Sequence, residues 1–164
     1  MPKRKENKMK RSSEEIINRM IQLAGSNYNC SQIMMVLALE QEEHENPGLV
    51  RAMSGLGHGC GFFNETCGIM TGAASVLAWY GAKGSESEAE SENLFPMLQD
   101  LGEWFRQKTA LKFKGTRCRE IVGDLVGTAA GKQICGGLIF DTYNKVNEIL
   151  SNYGYFDLQT RAAP

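Results

Sequence analysis

The five cysteines of this 164-residue chain, at positions 30, 60, 67, 118 and 135, are the side chains best suited to chemistry. A cysteine thiolate attacks disulfides and binds metals, whereas a protonated buried thiol behaves as a small apolar side chain. The spacing contains no Cys-x-x-Cys pair and no Cys-x-x-Cys-His motif, which argues against zinc ribbons, thioredoxin-like centres and covalent haem. Joint chemistry therefore requires the fold to gather cysteines that are distant in sequence.

Helix starts are the common feature of four of these cysteines. They are Cys30 after the predicted cap Asn29, Cys67 after the predicted cap Thr66, Cys118 two positions after the predicted cap Thr116, and Cys135 near the start of the last predicted helix. Unpaired N–H groups and the helix dipole favour a thiolate at such positions. Thiolates gathered there from four helices suit either a four-thiolate iron–sulfur cluster or two exchangeable disulfides, and the sequence leaves both open.

A basic segment surrounds one of the four. Arg117 and Arg119 flank Cys118, and the segment from Arg106 to Arg119 holds six cations and no acid. The segment could simply be a solvated basic face of the helix ends. Alternatively, it lowers the pKa of the Cys118 thiol, offsets the charge of a cluster, or steers an acidic partner toward the site.

Glycines accompany the other predicted site residues. Gly68 and Gly72 lie one turn apart on the helix that follows Cys67, where each glycine costs about 1 kcal/mol of helix propensity. We expect them to admit a neighbouring helix or an inorganic cluster. Residues 54–66, here called the glycine loop, contain four glycines within seven positions together with Cys60 and His58. His58 is the better of the two histidines as a ligand candidate, because His44 lies in an acidic helix end.

The hydrophobic pattern predicts a compact, single-domain, all-α bundle of about seven helices. The first is capped by Ser12 with Glu15, and the last runs from about residue 132 to 151. No alternating strand pattern competes with these helices. We expect a basic, disordered tail over residues 1–11, an all-helical cysteine-containing redox domain over 12–155, and a C-terminal tail over 156–164.

Charge and hydropathy restrict the location and the partners. The longest apolar runs are too short to span a bilayer, and no secretory signal is evident, so we expect a cytoplasmic protein without membrane insertion. Residues 3–11 hold six of the 18 basic residues and one of the 19 acidic residues, which leaves a net charge of −6 on the rest. This basic segment has no aromatic residue for base stacking, and we expect no nucleic-acid binding. A homodimer is compatible with the apolar helix faces.

Several of these features occur together in a known family. An Asn-Cys-Ser-Gln sequence on a helix, a glycine-rich loop, the element from Cys67 to Gly72, and single cysteines at 118 and 135 resemble the C_GCAxxG_C_C family of redox-active proteins. The resemblance extends from about residue 16 to 150. Its cysteine pattern maps onto Cys30, Cys67, Cys118 and Cys135, and Ile69 stands where the family usually has alanine. Cys60 is an additional thiol that could replace or supplement one of the four. A similar domain occurs in split-Soret cytochromes, for which an iron–sulfur site has been suspected.

The resemblance implies a class of chemistry without a substrate. We expect a redox protein that uses the four cysteines as catalytic or metal-binding residues, with Cys60, Gly68 and Gly72 beside the cofactor position. It would transfer electrons to a protein partner, either through an iron–sulfur cluster or through reversible disulfides. An electron carrier fits better than a conventional enzyme, because no catalytic triad, paired carboxylates or nucleotide-binding loop is evident. The alternative is a non-catalytic helical binding module with structural cysteines.

Overall fold

Seven α-helices make up the regular structure of residues 11–156, the part of the chain that the computed structural model describes. They are α1 (Ser13–Gly25), α2 (Cys30–Gln41), α3 (Pro47–Met53), α4 (Gly68–Gly81), α5 (Leu94–Ala110), α6 (Cys118–Val122) and α7 (Ala129–Asn152). Within the described range there is no strand, and the one β-type pairing is an isolated antiparallel bridge between Thr66 and Arg117. The predicted all-α class and the number of helices are confirmed.

Helix α4 is the centre of the fold. Its sequence is apolar almost all round, which is typical of a helix buried on every side, and α2, α5 and α7 pack against it. The side chains of Ile69, Ala73, Val76 and Leu77 are at most 1% exposed. Helices α2 and α4 make the most extensive contact. Their first residues lie side by side, since a Cβ at Gly68 would lie 2.6 Å from the Cys30 sulfur.

Side-chain caps fix several helix starts. The Glu15 N–H donates to the Ser12 hydroxyl (3.2 Å), and the Ser12 N–H donates to the Glu15 carboxylate (2.7 Å), so the predicted capping box of α1 is confirmed. Helix α7 begins three residues earlier than predicted, because the Thr128 hydroxyl accepts from the Gly131 N–H (3.1 Å) and starts the helix at Ala129. This earlier start changes the environment of Cys135.

The predicted tails lie almost wholly outside the described residues. At the N-terminal border, Arg11 forms an ion pair with Glu40 of α2 (2.9 Å). At the C-terminal border, the Phe156 ring packs against the ring of Tyr80. Among residues 11–156, every helix is too short or too polar to cross a membrane.

Candidate functional site

Cys30 is the first residue of α2, and a reciprocal cap holds it there. The Gln32 N–H donates to the Asn29 side chain (3.2 Å), and the Asn29 N–H donates to the Gln32 side chain (3.1 Å). The Gln32 amide also donates to the Val50 carbonyl of α3 (3.2 Å). Asn29 was predicted as the cap of this helix and is confirmed in that position.

Ser31 ties the same helix start to the beginning of the glycine loop. Its hydroxyl is fully buried and lies within hydrogen-bond distance of the Met53 carbonyl (2.6 Å) and of the Asn29 amide oxygen (2.7 Å). The Asn29 amide nitrogen donates to the Ser54 carbonyl (3.0 Å). The Asn-Cys-Ser-Gln sequence therefore positions Cys30, because the residues around it fix the start of the helix that carries the thiol.

Cys67 and Cys118 are brought together by backbone pairing on either side of the Thr66–Arg117 bridge. The Cys67 N–H donates to the Thr116 carbonyl (2.9 Å), and the Cys118 N–H donates to the Glu65 carbonyl (3.0 Å). The two cysteines are only 3% and 7% exposed, so solvent reaches little of either residue. This pairing joins the end of the glycine loop to the start of α6.

Two of the predicted caps beside these cysteines are wrong. Cys67 itself occupies the N-cap position of α4, where Thr66 was expected, and Arg117 occupies that of α6, where Thr116 was expected. Thr66 and Thr116 are instead held by the backbone pairing between their two segments. Both cysteines nevertheless lie at the leading end of a helix.

Cys135 lies away from the helix start where it was predicted. Because α7 begins at Ala129, the cysteine is in the second turn of a 24-residue helix. Its backbone N–H is therefore past the unpaired first turn of the helix. Cys135 is partly buried and packs against the core, so its place in the site comes from helix packing.

Gly68 lets α2 approach α4 at Cys30. A Cβ atom at Gly68 would lie 2.6 Å from the Cys30 sulfur, 2.8 Å from the Gly57 Cα and 2.9 Å from the Leu56 carbonyl oxygen. One turn later, a Cβ at Gly72 would lie 2.8 Å from the Ser31 Cα. The predicted close approach is confirmed for a neighbouring helix, and the thiol of Cys30 lies in the same contact.

The glycine loop covers the starts of α2 and α6. Gly59 has a φ of +58°, and a Cβ there would lie 2.9 Å from the Glu65 carbonyl oxygen and 3.0 Å from the Cys118 Cβ. From the same loop, the Gly57 Cα and the Leu56 carbonyl oxygen meet the Cys30 sulfur at Gly68, and the backbone N–H of His58 lowers the pKa of the Cys30 thiol. The loop thus contacts two of the four cysteines directly.

The four buried or partly buried thiols form one electrostatically coupled group. Burial raises the pKa of the Cys67 thiol far above its usual range, and repulsion from the Cys30, Cys118 and Cys135 thiolates raises it further. Burial and then repulsion from Cys30 also raise the pKa of Cys118 and, to about 11, that of Cys135. The charge of Cys30 raises the pKa of each of the other three thiols.

The expectation that helix starts and arginines lower these thiol pKa values is wrong. Burial dominates for Cys30 as well, although the N–H groups of His58, Ser31 and Cys30 itself partly offset it. For Cys118, burial and the neighbouring thiolate set the direction, and the exposed guanidinium groups beside it do not reverse it. Desolvation of the thiolate thus outweighs the helix end, and the protonated thiol is the favoured form at neutral pH.

Residues 28–149 match the model of a protein family described as "Putative redox-active protein (C_GCAxxG_C_C)". The chain belongs to the C_GCAxxG_C_C family. The matched span covers most of the chain and includes all five cysteines. Comparison with curated proteins and comparison with solved structures found no match.

In this C_GCAxxG_C_C protein, the remaining ligand candidates lie outside the coupled group. Cys60 is exposed, with a left-handed backbone at φ +55°. The His58 ring packs edge-on against Phe63 (centroids 5.7 Å apart), and the His44 ring lies 5.4 Å from that of Trp79. Among residues 11–156, no three Cys, His, Asp or Glu side chains are placed to hold a metal ion together.

Two contributions to the site escaped sequence reasoning. One is the His58 backbone N–H, which lowers the pKa of the Cys30 thiol; the four glycines of the loop indicated only that its backbone comes close to something. The other is the pairing of Glu65 and Cys67 with the segment around Thr116. Both contributions come from backbone groups, so neither of them requires a particular side chain.

Raised thiol pKa values predict a loss of stability at alkaline pH. The folded chain holds the proton of Cys135 up to about pH 11, whereas an unperturbed thiol releases it at 9.0. The stabilisation is therefore complete below pH 9 and is lost as the pH rises toward 11, at a cost of about 2–3 kcal/mol. Urea unfolding at pH 8 and pH 10.5 measures it. Cys135→Ala should show a smaller decrease than wild type, and equal decreases would contradict the assignment.

Proposed function

We propose that this protein is an electron carrier whose Cys30, Cys67, Cys118 and Cys135 act as one redox centre. The observation that carries the proposal is the placement of these cysteines: the Cys30 sulfur lies against Gly68, the residue after Cys67, and backbone pairing holds Cys67 beside Cys118. Cys135, from the interior of α7, is joined to them by the repulsion that contributes to its raised pKa. Packing of an apolar core does not require four cysteines whose charges influence one another. The family description supports redox chemistry as the class of function.

Reversible disulfide formation is the form of chemistry that the placement of the thiols favours. We assign Cys30 and Cys67 as the exchanging pair, because the Cys30 sulfur contacts Gly68, the residue after Cys67, and Cys30 is the strongest thiolate neighbour of Cys67. A thiolate from the pair attacks a disulfide of the partner, and the partner releases one thiolate. The second cysteine then attacks the mixed disulfide and releases the other. The protein loses two electrons and two protons, and the partner's disulfide becomes a dithiol.

The direction of electron flow follows from the pKa values. A strongly oxidising disulfide needs a reduced form that is stabilised as a thiolate. Here burial first, and repulsion between thiolates second, disfavour that form at Cys67. We therefore assign the reduced protein as an electron donor to its partner. A reducing compartment such as the cytoplasm would keep it in that state.

An iron–sulfur cluster is the second form of the proposed centre. Burial first, and mutual repulsion second, raise the pKa values of Cys67, Cys118 and Cys135, and iron would offset that repulsion by binding the thiolates. Since no three such side chains in residues 11–156 are placed as metal ligands, binding would require these side chains to turn. For that reason we place the disulfide form first.

Anaerobic purification separates the two forms and the alternative of a binding module with structural cysteines. The disulfide form predicts colourless, iron-free protein that exchanges with the neutral probe bis(2-hydroxyethyl) disulfide and forms an internal disulfide. A coloured protein with iron and acid-labile sulfide, both lost in a variant with the four cysteines changed to alanine, would assign the cluster. An iron-free protein whose four cysteines never form disulfides would contradict both forms and favour the binding module.

A further inference from the structure

Basic residues near the redox centre differ in whether acids neutralise them. Arg106 forms an ion pair with Glu103 (3.4 Å), and Lys108 forms one with Asp141 of α7 (2.7 Å). The other four cations of the segment are exposed, and within residues 11–156 none of them forms an ion pair. They are called the basic rim here: Lys112, Lys114, Arg117 and Arg119.

The basic rim lies beside Cys118 of the redox centre. Arg117 and Arg119 are the direct neighbours of Cys118, whose own side chain is almost completely covered. Lys114 is joined to the same short helix, because its N–H donates to the Glu120 carbonyl (3.4 Å). A molecule that exchanges electrons with the buried cysteines from this side of α6 meets the basic rim first.

An exposed apolar side chain lies beside the rim. Phe62 is 77% exposed in the glycine loop, three residues after Gly59, which packs against Cys118. The turn after α6 exposes two further apolar residues, Leu125 and Val126. Aromatic residues are enriched at the energetic centres of protein interfaces, and charged residues steer association at the rim.

We propose that the basic rim and Phe62 form the docking surface for an acidic protein, the partner to which the proposed redox function passes electrons. Charge complementarity favours an acidic protein at this surface. The chain after residue 11 has a net charge of −6 and would repel an acidic partner elsewhere, whereas the basic rim attracts one. Two acidic residues are close to these cations: the Glu65 carbonyl accepts from the Cys118 N–H, and the Glu120 carboxylate accepts from the Arg117 N–H (2.9 Å). Their carboxylates would repel a nucleic acid, whose backbone carries a phosphate at every nucleotide. A protein can instead place its acidic residues opposite the cations alone.

A labelled twelve-residue peptide with four glutamates, one leucine and no cysteine tests the docking surface on the full chain. We expect binding that weakens with added salt, since rim charges are screened at high ionic strength. Arg119→Glu should weaken binding about tenfold at low salt, whereas Lys83→Glu, the same charge change at an exposed site in the linker before α5, should leave it unchanged. Phe62→Ala should weaken the binding that persists at high salt.

Several outcomes would overturn the docking proposal. They are equal binding of a peptide with four lysines, no effect of Arg119→Glu, tighter binding of a twelve-nucleotide DNA strand, and a wild-type dimer that Arg119→Glu converts to monomers. Exchange of the wild-type thiols with bis(2-hydroxyethyl) disulfide is measured separately. If the thiols fail to exchange but the peptide still binds, the result would contradict the proposed disulfide chemistry and support the docking surface.

Discussion

Cys30→Ser is expected to slow exchange with bis(2-hydroxyethyl) disulfide roughly 100-fold at pH 8, because a serine hydroxyl does not attack disulfides. The charge of Cys30 raises the pKa of each of the other three thiols, and its sulfur lies against Gly68, the residue after Cys67, so its loss removes one member of the proposed pair. The rate is followed under anaerobic conditions by mass spectrometry of the internal disulfide, because the exposed Cys60 thiol also releases 2-mercaptoethanol from the probe. Circular dichroism should show that the variant keeps its helices.

Cys60→Ser is the matched control for this experiment. Cys60 is exposed and lies outside the coupled group, so the variant should retain an exchange rate within about twofold of wild type. A rate in Cys30→Ser that equals that of wild type would contradict the role of Cys30. A large loss in Cys60→Ser alone would place the reactive thiol in the glycine loop instead.

Gly68→Ala is expected to destabilise the fold by about 2–4 kcal/mol. The new methyl would lie 2.8 Å from the Gly57 Cα and 2.9 Å from the Leu56 carbonyl oxygen, and neither backbone atom can move without shifting the glycine loop. It would also lie 2.6 Å from the Cys30 sulfur. The loop and α2 therefore separate from α4 at the redox centre. Urea unfolding of the reduced protein measures the change.

Gly137→Ala serves as the control for helix propensity. Gly137 is exposed on α7, and a Cβ there would meet nothing within 4 Å. This substitution should stabilise the protein by about 0.5–1 kcal/mol, because alanine forms helix better than glycine. Equal effects at positions 68 and 137 would show that the close approach at Gly68 does not matter.

Local sequence signals predict most of the fold. The Ser12 cap, the Asn29 cap and the apolar stripes of the helices act over a few residues, so a reader of the sequence can recognise them. The glycine element of α4 likewise indicates a close neighbour, and α2 is that neighbour. These signals are reliable because the interactions behind them are close in sequence.

The details of the site depend on tertiary structure and were harder to predict. The pairing of Cys67 with Thr116 joins segments about 50 positions apart through backbone groups, which any residues could supply. The thiol pKa values were predicted in the wrong direction because helix starts are visible in the sequence, whereas the burial that outweighs them is not. The environment of Cys135 was missed because Thr128 starts α7 one turn early.

Quantitative alkylation across a series of poised redox buffers shows whether Cys30 and Cys67 act as one redox pair. Iron-free protein is equilibrated anaerobically at stepped potentials, quenched with an alkylating reagent and digested, and mass spectrometry then counts the free thiol at each cysteine. We expect Cys30 and Cys67 to lose their thiols together in one two-electron step and to be recovered as a linked peptide, while Cys60 stays alkylated. Independent oxidation of each cysteine, or linkage only between Cys60 residues of two chains, would contradict a shared redox centre.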